Sequence, residues 1–202
     1  MRLFDRGASK GTPFDWLVLG LGNPGKEYAR SRHNVGEDVV RLLAARHDAT
    51  FKAGKHNAEI AEARFGDRRV VLAFPLTYMN ESGQAASALV RRYKIESPEQ
   101  IVVVHDELDL PPGTVKLKAG GGLAGHNGLR SVTQHLKSQD FLRVRIGVGK
   151  PPNKHQGAGH VLNRVPAAER ELLDVAIAES ADAVEAIIAR GVDAAMRETH
   201  GR

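Results

Sequence analysis

Hydrophobic positions along the chain fall into short β-branched runs that alternate with helical periods. Four runs bounded by Gly, Pro or Asp have the length and composition of buried strands. Between them, apolar residues recur at helical spacing in three segments. Alternating strands and helices favour a mostly parallel sheet covered by helices on both faces. The predicted strands are 16–19, 70–74, 101–105 and 144–148, and the predicted helices are 35–43, 85–93 and 129–136.

Further elements extend this α/β pattern. Segments 58–65 and 114–118 alternate like additional strands, which we expect to be antiparallel. Pro166 opens a long amphipathic helix that ends near Gly191. We therefore predict a single domain over residues 16–202, preceded by a flexible lead-in at 1–15.

Composition narrows the chemistry. A chain of 202 residues is long enough for one domain, and the absence of cysteine excludes disulfides, thiolate metal sites and cysteine nucleophiles. No run approaches the roughly 18 apolar residues of a membrane helix, and the first residues lack the apolar core of a signal peptide. The expected location is the cytoplasm, with no membrane contact.

Charge is unevenly distributed. The formal net charge is +5, but the segment from Asn163 to the end carries five basic and eight acidic residues, which leaves residues 1–162 at +8. A basic body beside an acidic C-terminal helix is typical of a protein with a polyanionic partner. Charge alone leaves a solvated basic surface as the alternative.

Unusual polar residues follow the predicted parallel strands. Asn23 comes after the first strand, 78–80 after the second, and His105-Asp106 ends the third, while a glycine-rich segment at 120–128 leads into the helix near Asn127. Open parallel sheets bind ligands outside the carboxyl ends of their strands. The sequence therefore predicts a site at this rim.

Two motifs have alternative interpretations. Residues 20–25 fit G-x-G-x-x-G, but the helix begins only after His33 and the second strand lacks the acidic residue that a dinucleotide site requires. The acidic run 105–109 could belong to a two-metal nuclease, although no second carboxylate cluster supports that reading. We favour Asp106 as a single carboxylate that orients a histidine from another segment.

Phosphate binding is predicted from two features, each with an ordinary structural alternative. The loop 120–128 could cradle phosphate or act as a lid, or Asn127 could simply cap its helix. Lys116 with Lys118, and Arg143 with Arg145, share strand faces and could grip phosphate or be solvated edge charges. Aromatic residues make up only 5% of the chain, so stacking of many bases is not expected.

Six motifs in order make the sequence recognisable. Together they resemble bacterial peptidyl-tRNA hydrolases, across residues 16–165. The resemblance implies a cytoplasmic, monomeric α/β enzyme with a twisted mixed sheet, no cofactor and no metal, which cleaves the ester between a peptide and the terminal ribose of tRNA. The motifs are Gly-Leu-Gly-Asn-Pro-Gly at 20–25, Arg-His-Asn at 32–34, Thr-Tyr-Met-Asn at 77–80, His-Asp-Glu-Leu-Asp at 105–109, Gly-Gly-Gly-x-x-Gly-His-Asn-Gly-Leu at 120–129 and Phe-x-Arg-x-Arg-Ile-Gly-x-Gly at 141–149.

The resemblance also implies roles for individual residues. The catalytic histidine falls on His33, its orienting carboxylate on Asp106, and the asparagine that separates blocked from free aminoacyl groups on Asn23. Substrate-contacting positions, together with a neighbouring methionine and two phosphate-binding cations, complete the set. They are Tyr28, Tyr78, Asn80 and Asn127, then Met79, then Lys118 and Arg145.

The chemistry of the residues agrees with this assignment. An ester is an activated acyl group, so a water molecule and one neutral imidazole suffice for its hydrolysis. A non-catalytic RNA-binding protein on the same scaffold and a nicotinamide oxidoreductase are the alternatives. The former does not need His33, Asp106 and rim asparagines together, and the latter lacks its acidic partner residue.

Overall fold

One seven-stranded sheet organises the computed structural model, which describes residues 12–201. The order of strands across the sheet is β2-β3-β4-β1-β5-β7-β6. The strands are β1 (Trp16–Gly20), β2 (Lys52–Ala53), β3 (Ala58–Phe65), β4 (Arg68–Pro75), β5 (Ile101–Glu107), β6 (Val115–Ala119) and β7 (Leu142–Gly147).

The four inner strands are parallel and both margins are antiparallel. β1 pairs in parallel with β4 and β5, and β5 pairs in parallel with β7. β3 runs antiparallel to β4, β2 to β3, and β6 to β7. The predicted mixed, mostly parallel sheet is therefore confirmed, and the carboxyl ends of β1, β4 and β5 meet at one rim.

Helices cover both faces, as the alternating pattern predicted. Val18 of β1 faces a core that includes residues of α1 and α5, whereas its neighbours Leu17 and Leu19 face a core that includes residues of α2 and α3. This alternation is what a strand buried on both faces requires. The helices are α1 (Val35–Arg46), α2 (Ser82–Tyr93), α3 (Asn127–Leu136), α4 (Gly157–Leu162), α5 (Ala167–Arg190) and α6 (Val192–His200).

The structure adds elements that the sequence pattern did not indicate. β7 begins two residues before the prediction, and the unassigned segment 151–159 contains a 3₁₀ turn and the start of α4. Beyond α5, the short helix α6 packs against β6, where Nε2 of His200 accepts the N–H of Leu117 at 3.0 Å. Across residues 12–201, no helix has both the length and the hydropathy to cross a membrane.

The predicted flexible lead-in needs correction at its end. Residues 1–11 lie outside the described part of the chain, but Phe14 is buried. Its ring lies edge-on to Tyr93 with a centroid separation of 4.7 Å, and the guanidinium of Arg69 lies 4.2 Å from the ring centroid. Because burial of an aromatic side chain stabilises the folded state, Phe14 belongs to the core and not to a flexible segment.

Two glycines let α1 approach the sheet. A Cβ atom on Gly36, in the first turn of α1, would lie 2.3 Å from the carbonyl oxygen of Val104 and 2.6 Å from the nitrogen of Leu21. A Cβ atom on Gly20 would lie 2.2 Å from the carbonyl oxygen of Gly36. The start of α1 therefore rests directly on the backbones of β1 and β5, which places residues 32–34 at the rim.

We expect Gly36→Ala to destabilise the protein by about 1–3 kcal/mol, because the added methyl group forces the backbone of α1 away from the sheet. Urea unfolding followed by circular dichroism measures this change. Gly157→Ala is the matched control, since it lies at the start of α4 with no atom within 4 Å of the added Cβ. Equal stabilities of the two variants would contradict the close approach.

Candidate active site

His33 and Asp106 form a hydrogen-bonded pair at the rim. His33 lies in the 3₁₀ turn Arg32–Asn34 that precedes α1, and Asp106 is the next-to-last residue of β5. Nδ1 of His33 lies 2.8 Å from Oδ2 of Asp106. Because the carboxylate accepts, Nδ1 carries the proton and Nε2 of the neutral ring is left with its lone pair.

A second imidazole contacts the same carboxylate. Nε2 of His126 lies 2.8 Å from Oδ1 of Asp106, while Nδ1 of His126 accepts the N–H groups of Gly128 and Leu129. His126 is therefore the N-cap of α3, the role that the sequence offered as an alternative for Asn127. Sequence reasoning assigned no function to His126, and its only signal was its place before the helix.

Asp106 and His33 shift each other's pKa in opposite directions, because each favours the charged form of the other. Burial opposes ionisation of Asp106, but the two imidazoles hold the pKa of its carboxyl well below the usual range. Burial likewise opposes the imidazolium of His33, yet the charge and hydrogen bond of Asp106 raise the pKa of His33 above its ordinary value. Burial and then the adjacent His126 lower the pKa of His105 to about 3, so His105 is neutral at neutral pH.

Asn23 is held in one orientation at the end of β1. Its Oδ1 accepts the N–H of Met79 at 2.7 Å, which fixes the amide so that Nδ2 is the remaining donor. Asn34 brackets the backbone of Asn23, accepting its N–H at 2.9 Å and donating to its carbonyl at 2.8 Å. Asn34 occupies the N-cap position of α1 but makes no side-chain cap bond. Among residues 12–201, Nδ2 of Asn23 has no hydrogen-bond partner.

The other predicted rim segments also converge. A Cβ atom on Gly128 would lie 2.5 Å from Sδ of Met79 and 3.0 Å from Cε1 of His126, so the start of α3 packs against the 3₁₀ turn Met79–Glu81 that follows β4. Met79 is buried there. Its neighbours Tyr78 and Asn80, and Asn127 on α3, are exposed.

Tyr28 is placed less firmly than the other predicted site residues. It is half-buried in the 3₁₀ turn Lys26–Tyr28, which leads into the His33 segment. Within the described residues, its hydroxyl makes no hydrogen bond to the rim. Its assignment as a substrate contact stays a prediction.

Arg32 connects the turn that carries His33 to α4 and α5. Its guanidinium donates to both carboxylate oxygens of Glu169 on α5, at 2.8 and 2.5 Å, and to the carbonyl of His160 at 2.8 Å. Arg32 is buried, so this bidentate pair is largely shielded from water. Sequence reasoning gave Arg32 no role, because its partner lies 137 residues further along the chain.

Lys118 and Arg145 line a cavity of about 300 Å³ next to the His33–Asp106 pair, which we call the dyad. The same cavity is lined by His105, which precedes Asp106 in β5, and by Glu107. Both cations are half-buried, and neither is engaged in an ion pair among residues 12–201. The pair is thus available to an anionic ligand.

Arg143 also lines this cavity, but its contacts differ from those of Lys118 and Arg145. It is buried and donates to the carbonyls of Gly121, Gly122 and Gln139, and its guanidinium lies 4.7 Å from the ring centroid of Phe141. Its two terminal nitrogens hold the glycine-rich loop, and its share in phosphate binding stays a prediction.

His33, Asp106 and His126 could also be considered as metal ligands, since their ligand atoms lie within 4.8 Å of one another. Both nitrogen–oxygen distances are those of hydrogen bonds, and a metal would have to displace the two protons. Hydrogen bonding alone explains this arrangement. Glu107 and Asp109 line the cation cavity and provide no second carboxylate group for a two-metal centre at the dyad.

The chain resembles known proteins in both sequence and fold. The sequence model of the peptidyl-tRNA hydrolase family matches residues 17–202. A peptidyl-tRNA hydrolase of Leifsonia xyli is 52% identical over 187 residues, which cover 92% of this chain and 96% of that protein. One of Frankia alni is 48% identical over 185 residues, covering 92% and 93%. The crystal structure of peptidyl-tRNA hydrolase from Acinetobacter baumannii superposes with a TM-score of 0.87 at 40% identity, covering 94% of this chain and 97% of that chain.

The chain therefore belongs to the peptidyl-tRNA hydrolase family.

Proposed function

We propose that the protein hydrolyses the ester between a peptide, or an N-blocked amino acid, and the 3′-terminal ribose of tRNA. It would thereby recycle peptidyl-tRNA that ribosomes release prematurely. The observation that carries this proposal is the His33–Asp106 hydrogen bond at the rim. Membership of the family supports the substrate class, and a substrate made on ribosomes places the enzyme in the cytoplasm.

In the proposed mechanism, Nε2 of His33 removes a proton from water as the oxygen attacks the ester carbonyl. Asp106 stabilises the imidazolium that forms and keeps the ring in the tautomer with a free Nε2. The proton then passes to the ribose oxygen as the tetrahedral intermediate collapses. The ester needs no covalent enzyme intermediate, because water and one base complete the reaction.

The remaining rim residues are proposed to hold the substrate. Amide donors can bind peptide carbonyls or the developing oxyanion without adding charge, and the fixed orientation of Asn23 supports this role. The cavity that Lys118 and Arg145 line supports a phosphate site beside the dyad. The further substrate contacts would come from Asn80, Asn127, Tyr28, Tyr78 and Met79.

The alternatives explain less of the site. A non-catalytic RNA-binding protein would use Lys118 and Arg145 but has no need for a carboxylate that raises the pKa of His33. A dinucleotide site requires space over the glycine turn, whereas the side chain of Asn34 fills the position next to Gly22, within 2.9 Å of a Cβ atom placed there.

His33→Ala should lower kcat by about 10²–10⁴, the usual contribution of a general base, while tRNA binding persists. The assay is release of an N-blocked amino acid from tRNA, with chelator present.

Asp106→Asn should lower kcat by a smaller factor than His33→Ala does. It should also shift the acid limb of the pH profile to lower pH, because the pKa of His33 falls when its anionic partner is removed. Near-normal turnover by His33→Ala would exclude the assignment.

Asn23→Asp should weaken the discrimination against free aminoacyl-tRNA. In the wild-type protein, Nδ2 is a donor and disfavours a substrate ammonium group, whereas an aspartate would attract that charge. Competition between N-acetylated and free aminoacyl-tRNA gives the ratio of kcat/KM values. If the variant rejects the free form as strongly as the wild type does, another residue sets the selectivity.

Salt dependence tests the phosphate site. Two or three phosphate contacts predict a slope of log affinity against log salt of about −2 to −3, and loss of one contact reduces its magnitude by about one. Lys118→Ala and Arg145→Ala should each show this reduction and raise KM for full-length tRNA. Lys52→Ala, on exposed strand β2, is the matched control. Unchanged slopes in both cavity variants would leave only the rim as the tRNA site.

A further inference from the structure

The carboxylate of Asp106 is shared by two imidazoles, of which the proposed mechanism uses one. Oδ2 accepts from His33 and Oδ1 from His126, both at 2.8 Å. Asp106 is only 2% exposed, so bulk water has little access to its carboxylate and contributes little to its hydrogen bonding. Its rotation about the Cβ–Cγ bond is therefore governed by these two side chains.

The tautomer of His126 is determined by α3. Nδ1 accepts the N–H groups of Gly128 at 3.1 Å and Leu129 at 3.3 Å, so it carries no hydrogen and the ring proton is on Nε2. His126 thus presents its Nε2–H to Oδ1 of Asp106.

The surroundings of His126 limit its movement. The ring of His105 lies edge-on to it with a centroid separation of 5.0 Å, and the ring of His33 lies at 5.4 Å. Asp106, His33 and His105 are the titratable groups that face His126, and His105 is neutral because its pKa is lowered to about 3. Arg143 lies beyond His105 and holds the glycine-rich loop that leads into His126.

We propose that His126 is a positioning residue for the hydrolysis: its Nε2–H fixes the carboxylate of Asp106 so that Oδ2 faces His33. This inference rests on the proposed function, because it takes His33 and Asp106 as the catalytic pair. Because His126 lies in the glycine-rich loop, the conformation of that loop would also affect the orientation of Asp106 towards His33. In this role His126 acts through Asp106 and not on the reacting atoms.

Two substitutions separate positioning from helix capping. His126→Asn keeps an acceptor at the place of Nδ1, and therefore the cap of α3, but loses the donor to Asp106. His126→Gln keeps a donor that can reach Asp106 but lacks the acceptor for the cap. His135→Asn, which removes another imidazole from α3 away from the carboxylate, is the matched control.

For His126→Asn we expect kcat to fall about ten- to a hundredfold, the usual effect of losing a hydrogen bond to a charged group, with KM and Tm close to the wild-type values. His126→Gln should retain more of kcat and show a lower Tm. The acid limb of kcat should shift to lower pH in His126→Asn, because a misoriented Asp106 no longer raises the pKa of His33. Imidazole ¹H–¹⁵N spectra should show the same fall in the pKa of His33 and none in His135→Asn.

Other outcomes would overturn the proposal. Wild-type kcat and an unchanged pKa of His33 in His126→Asn, with a low Tm in His126→Gln, would reduce His126 to a helix cap. Loss of wild-type activity in chelator would make it a metal ligand instead. Failure of the proposed function is distinguishable, since it would appear as near-normal turnover in His33→Ala, whatever His126→Asn does.

Discussion

A single buried carboxylate determines how the parts of this protein must meet. Asp106 lies at the end of a strand that is buried along its whole length, where an unpaired charge would be strongly destabilising. Its two partners come from the turn before α1 and from the first residue before α3. The close approach at Gly36 places His33 beside the carboxylate. The absence of a side chain at Gly128 lets α3, which follows His126, start against Met79. Packing and charge pairing therefore specify the same arrangement.

The strand that carries Asp106 also separates the His33–Asp106 pair from the cavity lined by cations. Successive residues of a strand point to opposite faces, so His105 lines the cation cavity while Asp106 reaches the hydrogen-bonded pair. In the proposed complex, neutral amides would surround the reacting ester, whereas Lys118 and Arg145 share their cavity with His105. A phosphate bound there would not require a positive charge beside His33.

Much of the fold and the rim could be predicted from the sequence, because period and strand ends are local signals. The strand pattern placed Asn23, Met79 and Asp106 at one edge, and the structure brings them together. Roles that depend on distant partners could not be predicted. Arg143 has the spacing of a surface cation, yet its two terminal nitrogens donate to carbonyls of the glycine-rich loop about 20 residues away. Asn34 has the position of a helix cap, yet it holds Asn23.

The tether between Arg32 and Glu169 bears on how the enzyme matures during synthesis. The segment that carries His33 emerges early, but the carboxylate that holds Arg32 belongs to α5, 137 residues later. Contacts at such separations require closure of most of the chain before they form. A nascent chain that ends before α5 contains both His33 and Asp106 but lacks the support behind the histidine turn. The histidine turn therefore gains this support only after α5 has been synthesised.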